Sequence, residues 1–164
     1  MTPPLVGRVP TTVTQELIDI AATGKLGTAV ARLLRAGDVV ALYGELGVGK
    51  TTLARALIRA LGYAGEVPSP TFTLAQIYDL SLVAVWHFDF YRIDNPEEIV
   101  ELGIDEAQAE AVTLIEWPER MGPLLPADRL DIVLSYTGDD NGRRAELCGH
   151  GRWCERLAEA GDEL

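Results

Sequence analysis

The chain has 164 residues and a formal net charge of −11, with 48% hydrophobic and 24% charged residues. That size and composition suit one soluble globular domain. The acidity argues against an autonomous nucleic-acid binder, because a phosphate backbone repels such a surface; a local basic patch or a partner that holds the nucleic acid stays open. The opening MTPPLVGRVP has no apolar h-region and no run is long enough to span a bilayer, so the expected location is the cytoplasm.

Residues 1–10 carry three prolines and are expected to be loose. Thr14 to Arg35 reads as helical, with a break near Gly24 or Gly27. Leu26, Val30, Leu33 and Leu34 recur at the spacing of one helix face, and Gly37 stops the run. DVVALY (Asp38–Tyr43) is continuously apolar, as a strand buried on both faces should be.

Next comes GELGVGKTT (Gly44–Thr52), which fits Gly-x-x-x-x-Gly-Lys-Thr between a buried strand and a helix. Here the glycines let backbone N–H groups turn inward on phosphates, and the helix N-terminus adds its dipole. Gly44, Glu45, Leu46, Gly47, Val48, Gly49, Lys50, Thr51 and Thr52 are therefore the expected nucleotide cradle. Lys50 would reach the β- and γ-phosphates and Thr51 would ligate Mg2+. A plain glycine turn would not need Lys-Thr at this offset. Beyond it, Leu53, Ala54, Leu57, Ile58 and Leu61 line one face of a helix that Gly62 ends.

VPSPTF (Val67–Phe72) is a loop, since Pro68 and Pro70 forbid regular structure. TLAQIY and LVAVWHFDFY read as a hairpin around Asp79–Ser81. NPEEIVELG starts a helix, with Asn95 as cap, Pro96 in the first turn and Glu97 and Glu98 at the positive dipole end. AVTLIEW is a buried strand. RLDIVLSY and RRAELCG flank TGDDNG, whose Asn-Gly suits a tight hairpin turn. RWCERLAEAGDEL reads as an exposed helix with a frayed end. The order implies an α/β fold: a P-loop NTPase-like three-layer domain with a mixed, partly antiparallel sheet, spanning residues 1–164 with 1–12 and 152–164 flexible or peripheral.

A P-loop says nucleotide but not reaction. Asp89 and Glu116 end two apolar runs at what would be the phosphate edge of the sheet. Asp89 would hold Mg2+, directly or through water, and Glu116 would hold Mg2+ or orient the attacking water; the open alternative for each is an ordinary carboxylate leaving a strand. Thr71 lies where a γ-phosphate-sensing switch would be, or is a turn residue. His87 shares a strand face with Asp89 and is read as structural. Tyr91 and Arg92 are surface residues or a docking element; Arg143 and Arg144 reach the base or decorate a hairpin. Cys148, His150 and Cys154 offer three candidate metal ligands at no zinc spacing, and they too are read as structural, without a disulfide.

Taken together, GELGVGKTTL, SPTFTL, HFDFYRI, ELGIDE and LIEWPE resemble the TsaE (YjeE) family of small bacterial ATPases in tRNA threonylcarbamoyladenosine biosynthesis. The resemblance covers about residues 14 to 150, with Glu45 and Val48 replacing the family's usual Asp and Ala. It implies that Lys50 binds phosphate, that Thr51 and Glu116 serve Mg2+, and that Asp89 is needed for hydrolysis through Mg2+. It also implies that Thr71 belongs to a switch-like loop and that Trp117 lies beside the site. The implied cofactors are ATP, with ADP as product, and Mg2+. The implied partners are TsaD and TsaB, which act on tRNAs reading ANN codons, so that tRNA is met only through the complex. Three other readings compete: a small-molecule P-loop kinase, which lacks an arginine-bearing lid; a GTPase, which lacks an Asn-Lys-x-Asp; and a non-enzymatic scaffold.

Overall fold

The computed structural model describes residues 9–138 and 141–164. The expectations for residues 1–8, and for Asp139 and Asp140 of the TGDDNG turn, lie outside the described residues. Seven strands form one sheet: β1 (Thr11–Leu17), β2 (Val39–Tyr43), β3 (Ala75–Asp79), β4 (Ala84–Asp89), β5 (Val112–Glu116), β6 (Arg129–Tyr136) and β7 (Arg143–His150). Their order is β1-β7-β6-β2-β5-β4-β3. The four central strands β6, β2, β5 and β4 run parallel, and β7, β1 and β3 are antiparallel to their neighbours.

Helices α1 (Ile20–Ala31), α2 (Lys50–Ala60) and α5 (Trp153–Ala160) cover one face. Their apolar side chains pack with Val40, Leu42, Val112 and Leu114. The other face buries Val39, Phe88, Phe90 and Ile115 under α3 (Pro96–Glu101), α4 (Ile104–Glu110) and the 3-10 turns of Pro118–Leu124. Strand alternation divides the residues between the layers: Val40 faces one helical layer and Val39 the other. This is the three-layer mixed sheet expected from the pattern.

Three readings need correction. The expected helix from Thr14 begins as strand, with Thr14–Leu17 lying in β1. Thr11–Leu17 alternates half-buried and exposed residues and ends on the buried Leu17, its β-branched residues favour extended backbone, and it pairs antiparallel with β7 from Thr11 opposite Gly149 to Leu17 opposite Arg143. The helix starts only after Asp19, whose carboxylate accepts from the Ala22 N–H at 2.8 Å.

Nor is there a break at Gly24 or Gly27, both of which lie inside α1. A Cβ on Gly27 would stand 2.5 Å from the Ala56 Cβ, so the glycine serves close approach of α1 to α2. NPEEIVELG starts a helix with the expected Asn95 cap. A separate helix, α4, follows Gly103, whose φ of 87° ends α3. The third reading to correct is the tail, which is not exposed. Trp153, Cys154, Leu157 and Ala160 are buried, α5 packs against β7 and β1, and Arg156 reaches the Asp38 carboxylate and the Leu33 carbonyl. Trp153, Cys154, Leu157 and Ala160 recur at helical spacing, the pattern of a docked face.

Candidate nucleotide site

The loop after β2 turns through left-handed backbone at Gly44, Gly47 and Gly49, with φ of 143°, 81° and 119°. Gly44 is forced twice over. Its φ disfavours an L side chain, and a Cβ there would sit 2.7 Å from both the Leu134 carbonyl oxygen and Val48 Cγ1. The turn ends at Lys50, the first residue of α2, so the helix dipole points into the loop.

Lys50 is only 4% exposed. Its ammonium donates to the Gly44 and Glu45 carbonyls at 2.6 and 2.8 Å and lies 4.4 Å from the centroid of the Trp117 ring. Burial pushes its pKa down, while Glu116, Glu119 and Asp89 pull it back up. A carboxylate-lined site thus keeps a charge that burial disfavours.

Two neighbouring strands deliver the carboxylates. Asp89 and Glu116 are the last residues of β4 and β5 and are register partners, while Leu42 of β2 flanks Glu116 on its other side. Both are nearly fully buried. Thr51 donates to Glu116 Oε1 at 2.8 Å, and His87 Nε2 meets Glu116 Oε2 at 2.9 Å. Asp89 accepts from the Thr71 hydroxyl at 2.8 Å and from the Tyr91 N–H at 2.9 Å. Ser69 and Thr71 share a further hydrogen bond at 2.8 Å.

Leu46, Gly47, Gly49, Lys50, Thr51, Thr52, Thr71, Asp89, Glu116 and Trp117 line one cavity of about 170 Å³. Residues far apart in sequence, at 46–52, 71, 89 and 116–117, therefore converge. Among the described residues, two non-glycines have positive φ: Trp117 (58°), which lines this cavity, and Leu74 (66°), whose carbonyl accepts from the Asp89 N–H at 3.0 Å. Left-handed backbone at a bulky residue is uncommon and costs on the order of 1–3 kcal/mol. At Trp117 it lays the indole against Lys50 and 4.9 Å from the Tyr91 ring.

On the other side of the loop a cavity of about 530 Å³ is walled by Ile18, Asp19, Ile20, Val48, Asn141 and Arg143, among others. Arg143 donates to the Val48 carbonyl at 2.9 Å and stacks on Tyr136 at 4.3 Å, so it belongs with the loop rather than decorating the hairpin. Arg144 instead pairs with Glu16 at 2.7 Å with both side chains about half exposed. The exposed Ile18 and Ile20 in this wall were not legible as site residues, because the segment read as helix interior. The cap signal of Asp19 was the available clue.

Arg92 stacks on the exposed Phe72 at 4.5 Å, next to Thr71. His150 and Arg129 both bind Asp131. Cys154 donates to the Gly149 carbonyl, and both cysteines are free.

Comparison with known proteins gives concordant matches. A family profile described as "Threonylcarbamoyl adenosine biosynthesis protein TsaE" matches residues 17–145. The chain is 40% identical over 119 residues to the tRNA threonylcarbamoyladenosine biosynthesis protein TsaE of Rickettsia bellii, covering 72% of this chain and 83% of that one. To the Bacillus subtilis protein of the same name it is 36% identical over 138 residues, covering 84% and 85%. Among solved structures, the crystal structure of Bacillus subtilis YdiB superposes with a TM-score of 0.82 at 28% identity, covering 96% of this chain and 99% of that one.

Proposed function

We propose a function from one premise: this chain belongs to the TsaE family of threonylcarbamoyl adenosine biosynthesis proteins. Read as one P-loop ATPase domain, it binds ATP with Mg2+ and hydrolyses it to ADP and phosphate. It does so as the ATPase component of tRNA threonylcarbamoyladenosine formation, working with TsaD and TsaB in the cytoplasm on tRNAs that read ANN codons. Among the described residues, no helix is long and apolar enough to cross a membrane. The observation that carries the reading is the convergence of Lys50, Thr51, Thr71, Asp89 and Glu116 on one cavity at the mouth of the glycine loop.

Each group has a role that its chemistry suits. The loop amides, the N-terminus of α2 and the Lys50 ammonium bind the β- and γ-phosphates and take up charge that develops on them. Glu45, Leu46 and Val48 contribute through backbone, and Thr52 and Arg143 extend the site toward the larger cavity, where the base would lie. The Thr51 hydroxyl and the Glu116 and Asp89 carboxylates are hard oxygen donors, which suits Mg2+. Among the described residues no group of three or more His, Cys, Asp and Glu side chains makes a metal site by itself. That fits an ion held by one or two carboxylates together with nucleotide phosphates. Bound there, Mg2+ would neutralise phosphate charge. Asp89, oriented by Thr71 and the Tyr91 amide, would orient the attacking water. Thr71 couples that carboxylate to the 67–72 loop.

Lys50→Ala should weaken ATP binding at least about tenfold, since charge-assisted hydrogen bonds contribute about 1.5–3 kcal/mol. Titration calorimetry measures this, and unchanged affinity would remove Lys50 from the site. The reading as a whole is tested by phosphate release from ATP with and without TsaD–TsaB. Slow hydrolysis alone and a faster rate with both partners are expected. The acidic chain would leave the grip on tRNA to those partners. Equal rates in the two conditions would count against partner dependence, and a phosphorylated acceptor in place of free phosphate would point to a kinase.

A further inference from the structure

His87 lies in the middle of a buried sheet and is fully shielded from solvent. Its neighbours along β4 are Val85, Trp86 and Phe88. A purely structural histidine should have both ring nitrogens satisfied or give way to an apolar residue. Here only one is satisfied: Nε2 faces Glu116 Oε2 at 2.9 Å, while Nδ1 has no partner. An ionised carboxylate accepts, so Nε2 carries the proton and donates. The ring keeps an unpaired buried nitrogen in order to make one bond.

That bond occupies one oxygen of Glu116 while Thr51 occupies the other at 2.8 Å. The carboxylate is clamped from two sides. Lys50 lines the same cavity as Glu116, yet its hydrogen bonds go to the Gly44 and Glu45 carbonyls. An unclamped Glu116 would be free to swing to that ammonium. The swing would empty the Thr51 side and block the cation meant for phosphate.

Resting on the ATPase reading above, we propose that His87 is a positioning residue: its Nε2–H pins Glu116 against Thr51, where the pair can serve Mg2+, and away from Lys50. Buried hydrogen bonds that orient metal ligands commonly matter 10–100-fold when removed.

Three substitutions separate donation from packing. In His87→Gln the amide nitrogen reaches the level of Nε2 and restores the donor. In His87→Asn it reaches only the level of Nδ1. His87→Leu fills space without a donor. ADP affinity of the full chain is measured by calorimetry with and without Mg2+, alongside kcat and KM for ATP. Wild type should bind ADP more tightly with Mg2+. His87→Asn and His87→Leu should lose that tightening and need roughly tenfold more Mg2+ for half-maximal rate. Their Mg2+-free ADP affinity should stay within about twofold, and His87→Gln should recover most of the Mg2+ response.

The Asn–Gln pair decides the matter if the Leu variant fails to fold, because both are polar and differ only in where the donor sits. Equal Mg2+ response in Asn and Gln, or a Leu variant that responds like wild type, overturns the assignment while leaving the ATPase reading intact. A wild-type chain that binds no nucleotide overturns both.

Discussion

Asp89→Asn is expected to slow ATP hydrolysis by about 10²–10⁴-fold, the range over which a positioned acid or base contributes, with nucleotide affinity measured without Mg2+ nearly unchanged. The substitution conserves shape. Asn can still accept the Tyr91 N–H through its oxygen, and its amide can donate to the Thr71 hydroxyl in reverse of the present 2.8 Å bond. The strand end is therefore kept, and what disappears is negative charge beside Glu116 at the sheet edge. Phosphate release under saturating ATP reads the rate, calorimetry reads affinity, and melting temperature checks the fold. A variant within threefold of wild type would return Asp89 to the role of a strand-end carboxylate. A variant that fails to bind nucleotide would make its contribution one of binding rather than rate.

Trp153→Ala should lower the unfolding free energy by about 3–5 kcal/mol, as Trp-to-Ala changes in packed cores do. The ring is 2% exposed, and it opens α5 beside Leu157 in the core cluster under β1 and β7. It also stacks with Arg156 at 4.4 Å, and that guanidinium ties α5 to Asp38 just before β2. Losing the indole therefore leaves a void and loosens an anchor near the strand that leads into the glycine loop. Each kcal/mol moves the melting temperature of a chain this size by about 2–4 °C. Chemical denaturation gives the free energy directly. A loss below about 1 kcal/mol would restore the picture of an exposed tail.

The tail illustrates which parts of this chain are legible in one dimension. Its helix was legible but its burial was not, because whether a helical face meets water or another element depends on what lies across from it. The β1 segment failed for a related reason. Its partner β7 lies more than 125 residues away, and the nearby period of Leu26, Val30 and Leu34 outvoted a short alternation. His87 looked structural beside apolar neighbours, since nothing in HFDFYR reveals that Glu116 stands alongside it.

By itself, the order of residues determined the buried strand, the glycine loop, the helix after it and the carboxylates that end β4 and β5. These follow from local rules: apolar runs bury, glycines admit positive φ, and Lys-Thr at a fixed offset reaches phosphate. SPTF, HFDFYR and IEWPE in their order carried the likeness to the TsaE family, which the matches then established. Only the tertiary structure decided that Asp89 and Glu116 are register partners, that Thr71 donates to one and Thr51 to the other, and that Arg143 supports the loop. Those facts depend on which strands neighbour each other and in what register. That choice is made by long-range burial of side chains, to which no short stretch of the chain has access.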